Sequence, residues 1–323
     1  MHIGDGLVDR RARPRSAVPL GALGLLLALT GTCFCNGFVA QASSALGTRK
    51  VVAVGAENEY ANVIGQIGGP YVKVEAIMSN PNTDPHAFEA STQTAQLISE
   101  AELVVQNGVG YDAFMNKLEA ASPNQRREVI EVQELLGLPS STSNPHLWYR
   151  PATMPAVAKA VAADLGKLVP AQTHYFRTQV QKFDESLTPW YQTIARIKAR
   201  FSKASVATTE PVGDYLLQAV DADNRTPWKL QADIMNGVDP SPQEVTFQDN
   251  LFKQHRVKVF LYNQQVTDSL TVSFLTLARQ EEIPVVGLYE TMPTPGYDYQ
   301  TWMSAEAKAL ERALSSKRST TRL

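Results

Sequence analysis

The 323-residue chain has little cysteine, little histidine and no long run of one charge in its body. Its 2 cysteines, Cys33 and Cys35, both fall near the N-terminus. A chain processed after Ala42 keeps no thiol and no disulfide. A Cys-x-Cys metal site is not expected, because no further thiol exists to complete a shell. About 280 remaining residues bury a core large enough to fold without cross-links. Net charge is −2, and Lys and Arg cluster only in the leader and at Lys317, Arg318 and Arg322. That distribution argues against nucleic acid as a partner. The chain lacks a Walker motif and a G-x-G-x-x-G turn, so it is not an ATPase subunit. It also lacks the G-x-S-x-G elbow of serine hydrolases and the H-E-x-x-H helix of zinc proteases. Asp221-Ala222-Asp223-Asn224 opens like a calcium loop but lacks the later glycine and glutamate, so a surface turn is expected there.

What the chain does have begins with a leader. Arg10-Arg11-Ala12-Arg13-Pro14-Arg15 precedes an apolar run from Ala17 to Leu29, and Ala40-Gln41-Ala42 offers a small-x-small cleavage site. The layout is that of a secretory signal peptide over residues 1–42. The apolar run is shorter than the roughly 20 residues that span a bilayer. Leu29-Thr30-Gly31-Thr32-Cys33 is loosely similar to a lipobox, which allows either a lipid-anchored surface protein or a free periplasmic one.

The body divides by pattern. Buried strands are expected at Lys50–Gly55, Val72–Ile77, Ala101–Gln106 and Glu128–Val132, with helices at Thr92–Glu100 and Asp112–Ala121 between them. Thr153–Leu168 is an Ala/Val/Leu-rich helix. From Ala171 to Phe201 apolar residues recur every three or four positions on one helical face, with Pro189 inside as a candidate kink. Strands then resume at Ala204–Thr209, Val257–Tyr262 and Pro284–Leu288, with helices at Pro211–Asp221, Thr246–His255 and Ser269–Gln280. The fold class is therefore α/β: two lobes with parallel sheets, residues 50–168 and 203–314, bridged by one long rigid helix over 169–202, with a frayed polar tail at 315–323. Ligands of open α/β sheets bind at the carboxyl ends of the strands.

Candidate ligands sit at such ends. Asp84-Pro85-His86-Ala87-Phe88-Glu89 and Asn144-Pro145-His146-Leu147-Trp148 both present an imidazole from a stiff Pro-His step. Pre-ordered imidazoles suit metal ligation. Glu210 follows the strand ending at Thr209, and Glu290 follows the one ending near Leu288. His86, His146, Glu210 and Glu290 make an N2O2 set across the cleft, suited to Zn²⁺ or Mn²⁺. His174 and His255 read as ordinary helix residues.

These segments resemble the cluster A solute-binding family, the zinc and manganese receptors of bacterial ABC importers. Asp84–Ser91 is similar to its D-P-H-x-[FY]-E-P-[ST] segment, with Ala90 replacing proline. Asn144–Trp148 is similar to its [DN]-P-H-x-W, and Glu210 with Tyr215 and Leu216 resembles its third-ligand segment. Asp239-Pro240-Ser241-Pro242 resembles its E-P-S-P turn. The resemblance runs over about residues 50 to 312 and implies a non-enzymatic, monomeric receptor that delivers metal to an ABC permease. The chain departs from the pattern at three points. The family's fourth ligand, usually Asp, falls by count near Met292, where Glu290 is the nearest carboxylate and water is the alternative. Ser122–Ser143 carries no histidine, unlike many zinc members, and Pro211 follows Glu210. The competing expectations are a zinc hydrolase with an open coordination position, and a surface adhesin with an incidental metal.

Overall fold

The computed structural model describes residues 49–323 except 83, 84, 86 and 87. The expected leader, its cleavage site, Cys33, Cys35 and His86 lie outside the described residues. Among the described residues no helix is long and apolar enough to cross a membrane.

The first lobe comprises β1 (Val51–Glu57), α1 (Asn58–Gly68), β2 (Val72–Met78), α2 (Thr92–Glu100), β3 (Leu103–Gln106), α3 (Phe114–Ala121), β4 (Glu128–Glu131), the short α4 (Val132–Leu135) and α5 (Thr153–Leu168). α6 (Thr173–Ser186) and α7 (Thr188–Phe201) lead to the second lobe. That lobe comprises β5 (Ser205–Thr208), α8 (Asp214–Ala219), β6 (Asp223–Asn224), α9 (Trp228–Met235), α10 (Pro242–Lys253), β7 (Val259–Asn263), α11 (Ser269–Gln280), β8 (Val285–Leu288) and α12 (Tyr299–Ser316). Both sheets are parallel, in the orders β2-β1-β3-β4 and β6-β5-β7-β8. Central strands read as apolar runs because helices cover both faces, and the edge strand β2 alternates because it is half-covered.

In each order the chain reverses direction between two central strands: β1 and β3 in the first sheet, β5 and β7 in the second. Loops leaving the two strands there diverge to opposite faces and open a crevice at their carboxyl ends. Glu57-Asn58-Glu59 and Asn107–Asp112 leave one switch point, and Thr209-Glu210 and Asn263-Gln264-Gln265 leave the other. Polar residues crowd these ends although the strands behind them are apolar.

The stretch between the lobes is two helices rather than one rigid rod. The helix breaks at Leu187, just before Pro189, whose missing N–H and ring bulk interrupt the hydrogen-bond ladder. The buried face nevertheless continues across the break through Phe176, Val180, Phe183, Leu187, Trp190, Ile194 and Ile197. α6 packs on α5 and α1, and α7 packs on α12. One apolar core runs through both lobes, from Val51 and Ile64 through Trp148 and Trp190 to Trp302 and Leu310.

Other expectations shift in detail. Pro211–Asp221 holds a 3-10 turn at Pro211–Gly213 followed by α8. Asp223–Asn224 is more than a turn: it pairs with β5 as the sheet edge. α10 starts four residues ahead of Thr246, at Pro242, because Ser241 accepts from Glu244 N–H and Glu244 reaches back to Ser241 N–H in a capping box. Ser241→Ala should lower stability by about 1 kcal/mol, read from the urea midpoint. The tail does not fray. Val285 N–H donates to Ser319 Oγ, Thr320 N–H to Val285 O, and Gly287 N–H to Thr320 O, so residues 319–320 extend the sheet beside β8.

Candidate metal centre

His146 stands at the centre of a tight turn. Its φ of −76° and ψ of 56°, with Leu147 N–H donating to Pro145 O at 2.7 Å, define an inverse γ-turn. Asn107 Nδ2 donates to that same Pro145 carbonyl at 2.8 Å, tying the turn to the end of β3. The imidazole is fully buried. Tyr111 and Trp148 meet it edge-on, with ring centroids 5.9 and 5.4 Å away.

The ring's tautomer follows from its neighbour. Asn144 Nδ2 donates to Pro211 O at 2.8 Å, and Asn144 Oδ1 accepts from His146 N at 3.0 Å. The amide is thus fixed with its oxygen toward Nδ1, 2.8 Å away. Nδ1 carries the proton, and in the neutral ring Nε2 carries the lone pair. Nε2 lies 3.2 Å from Glu290 Oε2. That is the nitrogen a metal ion would take.

Glu290 is fully buried on the loop after β8. Its Oε2 accepts from Tyr111 Oη at 3.0 Å, and its Oε1 accepts from Asn263 Nδ2 at 2.5 Å. Asn263 Nδ2 donates as well to Glu210 Oε2 at 3.1 Å, so one amide bridges the two carboxylates. Glu210 is buried at the start of the 3-10 turn after β5. Gln265 Oε1 accepts from Glu290 N and Thr291 N at 2.6 and 2.8 Å, fixing the loop that carries Glu290. Asn58 clamps the same loop from the other lobe, donating to Met292 O and accepting from Met292 N at 2.8 and 3.0 Å. Met292, the position to which the count assigns the fourth ligand, is buried in that clamp, while the carboxylate beside His146 belongs to Glu290. Asn58→Ala should lower stability by on the order of 1–3 kcal/mol, because Met292 N and O lose their buried partner; urea unfolding checks this.

The structure thus joins His146, Glu290 and Glu210, directly or through Asn263. Among the described residues no three His, Cys, Asp or Glu side chains form a metal-holding group. The fourth candidate, His86, lies outside those residues. A cavity of about 210 Å³ lined by Met78, Asn80, Pro85, Phe88 and Thr291 opens beside the Glu290 loop. His174 is exposed on α6, and His255, just after α10, lies 3.7 Å from Glu281.

Several polar residues of this region carry no motif. Tyr111 follows a turn in which Gly108 and Gly110 take left-handed φ of 78° and 77°. Val109 between them sits at φ 56°, rare for a β-branched residue, with its N–H on Gln133 Oε1 at 2.7 Å. Asp112 holds the turn by accepting from Asn107 N and Gly108 N at 2.6 and 2.9 Å. Burial raises its pKa to about 6, although those N–H groups favour the charged form. Glu57 and Glu59, at the β1–α1 junction, are buried, and their carboxyl oxygens have no hydrogen-bond partner among the described residues. Burial pushes both well above the ordinary carboxylate range, with the Asp112 and Glu59 charges adding to the effect at Glu57. The N–H groups of Glu59 and Met292 offset part of the shift at Glu59 without reaching hydrogen-bond geometry. The signal for this group was present: polar residues directly after apolar strands, in Glu57-Asn58-Glu59 and Asn263-Gln264-Gln265.

The fold and the junction define a two-lobed α/β protein with polar groups gathered where the carboxyl ends of two parallel sheets meet. The sequence matches the family described as "ZnuA: Zinc-uptake complex component A periplasmic" over residues 54–313, and the chain belongs to that family. It is 26% identical over 180 residues to the "Zinc-binding protein TroA" of Treponema pallidum (strain Nichols), covering 54% of this chain and 56% of that protein. It is 24% identical over 136 residues to the "Manganese-binding lipoprotein MntA" of Bacillus subtilis (strain 168), covering 40% and 44%. The chain thus spans about half the length of these curated relatives. The solved structure of the periplasmic zinc-binding protein TroA from Treponema pallidum superposes with a TM-score of 0.70 at 17% identity, over 83% of this chain and 99% of that one. That likeness establishes the two-lobed fold, and the family gives the hydrolase expectation no support.

Proposed function

We propose that the protein is a non-enzymatic, extracytoplasmic receptor of an ABC importer that captures Zn²⁺ or Mn²⁺ as cargo. His86, His146, Glu210 and Glu290 ligate the ion, and the loaded receptor hands it to the membrane permease. The observation that carries the reading is the buried His146–Glu290 contact between lobes, with Nδ1 locked on Asn144 and Nε2 turned to the carboxylate. Names of relatives that bind zinc and manganese support the cargo class. The leader over residues 1–42 directs export, and the mature monomer is either periplasmic or held to the membrane by a lipid on Cys33 or Cys35.

Thermal unfolding of residues 43–323, stripped with chelator, tests the proposal with each ion titrated separately. At 100-fold excess over Kd a ligand adds about 2.7 kcal/mol. In a domain of this size that raises the midpoint by roughly 5 °C. A saturable one-to-one shift is expected, and the two titrations rank the metals. No shift with either ion contradicts the reading. Affinity is also expected to fall as pH drops through the imidazole range near about 6.5, because protons compete for the ligand nitrogens.

A further inference from the structure

Glu306 on α12 is fully buried. Its Oε1 accepts from Trp302 Nε1 at 2.7 Å and from Tyr289 N at 3.2 Å. Its Oε2 makes a very short contact with Tyr149 Oη. That same Tyr149 oxygen lies 2.7 Å from the carbonyl of Tyr289. Tyr149 has one hydroxyl hydrogen, and a carbonyl only accepts. If the phenol donates to the Tyr289 carbonyl, its contact with Oε2 needs a hydrogen from the glutamate. One proton on Glu306 completes the chain: Glu306 Oε2–H to Tyr149 oxygen, then Tyr149 O–H to Tyr289 carbonyl.

The two residues so joined flank the proposed ligands. Tyr149 N–H donates to His146 O at 3.1 Å within the 3-10 turn, and Tyr289 precedes Glu290. We propose that Glu306 is held as the neutral acid and, through Tyr149 and Tyr289, positions the His146 turn of one lobe against the Glu290 loop of the other. It is a positioning residue, because it touches no proposed ligand side chain.

The surroundings favour the proton. No Lys or Arg of the described residues pairs with Glu306. Tyr149 and Tyr289 face it from their loops, with Glu290 beyond Tyr149. α1 brings Glu59, and α7 brings Tyr191, toward Tyr299 on α12. Arg196 of α7 is engaged with Glu311, and Arg322 of the C-terminal segment acts on Tyr289. Burial accordingly raises the Glu306 pKa to about 8. The unfolded group ionises near about 4.3. Between those values the folded state holds the extra proton, so this group makes stability fall as pH rises, levelling off above the folded pKa.

The inference rests on the receptor reading only where it concerns affinity. Urea unfolding of the metal-free wild type, Glu306→Gln and Glu306→Ala is compared from about pH 5 to pH 8. Gln mimics the neutral acid: its oxygen accepts the two N–H groups and its amide donates to Tyr149. Glu306→Gln is expected to match the wild type near pH 5. It should then gain on it by up to tenfold in the folding constant per pH unit. It should also keep zinc affinity at neutral pH, whereas Glu306→Ala should lose about 10–100-fold. A wild-type-minus-Gln difference that is flat with pH, or a Gln variant that loses affinity or fails to fold like the Ala variant, overturns the proposal. If the wild type itself binds no zinc, the receptor reading fails and the unfolding comparison still decides the state of Glu306.

Discussion

His146→Ala is expected to lower zinc affinity by well over the roughly 10–100-fold that losing a supporting residue costs. The side chain is an ordered donor on the receptor reading. Its ring sits in an inverse γ-turn, its Nδ1 is fixed on Asn144, and Tyr111 and Trp148 hold it edge-on. An alanine supplies no nitrogen and leaves Glu290 facing an emptied space, still bound by Tyr111 and Asn263. His146→Gln separates loss of ligation from loss of packing, because an amide refills much of the volume but ligates poorly. Competition against a chelator of known affinity reads both variants. Equal affinity in wild type and His146→Ala would remove His146 from the site.

Glu57→Gln and Glu59→Gln are each expected to stabilise the metal-free protein at about pH 8 by at least about 1.4 kcal/mol, the worth of one unit of raised pKa, because a neutral amide needs neither a proton nor a desolvated charge. Both side chains are buried without a hydrogen-bond partner among the described residues, and burial raises both pKa values. The folded state therefore binds a proton that the unfolded state has released, from about pH 4.3 upward. Stability falls with pH across that window, and a neutral amide abolishes the slope. Below about pH 4 the advantage should vanish, since the carboxyl is then neutral in both states. The two gains should not add, because Glu57 and Glu59 repel each other and removing one charge relieves the other. Urea midpoints at unchanged slope test this, and a destabilised Glu57→Gln at pH 8 would show that the carboxylate has a favourable partner.

Much of this architecture is legible in the sequence because its strands are short apolar runs and its helices carry plain periodicity. Thr92–Glu100, Thr153–Leu168 and Ser269–Gln280 are read to the residue, since each has a clear apolar stripe or a capping residue in front of it. β6 is missed because two residues, Asp223 and Asn224, carry no pattern, and only pairing with β5 makes them a strand. The ordered tail is missed because its polar side chains conceal main-chain pairing with β8. At the candidate site, His146 stands out by its Pro-His step, and Glu210 and Glu290 by their positions after strands. The roles of Asn263, Asn144, Tyr111 and Asn58 are not legible in the sequence, because they depend on contacts between residues up to 234 positions apart. Glu306 looks like any helical glutamate until Tyr149, Trp302 and Tyr289 are seen around it.

X-ray absorption of the zinc-loaded mature protein, residues 43–323, is the most direct test of the receptor site. One zinc per chain is expected, with two imidazole nitrogens at about 2.0–2.1 Å and carboxylate oxygens completing the set. One imidazole should disappear in His86→Ala and a different one in His146→Ala. A spectrum without imidazole scattering, or one unchanged in both variants, would contradict the account.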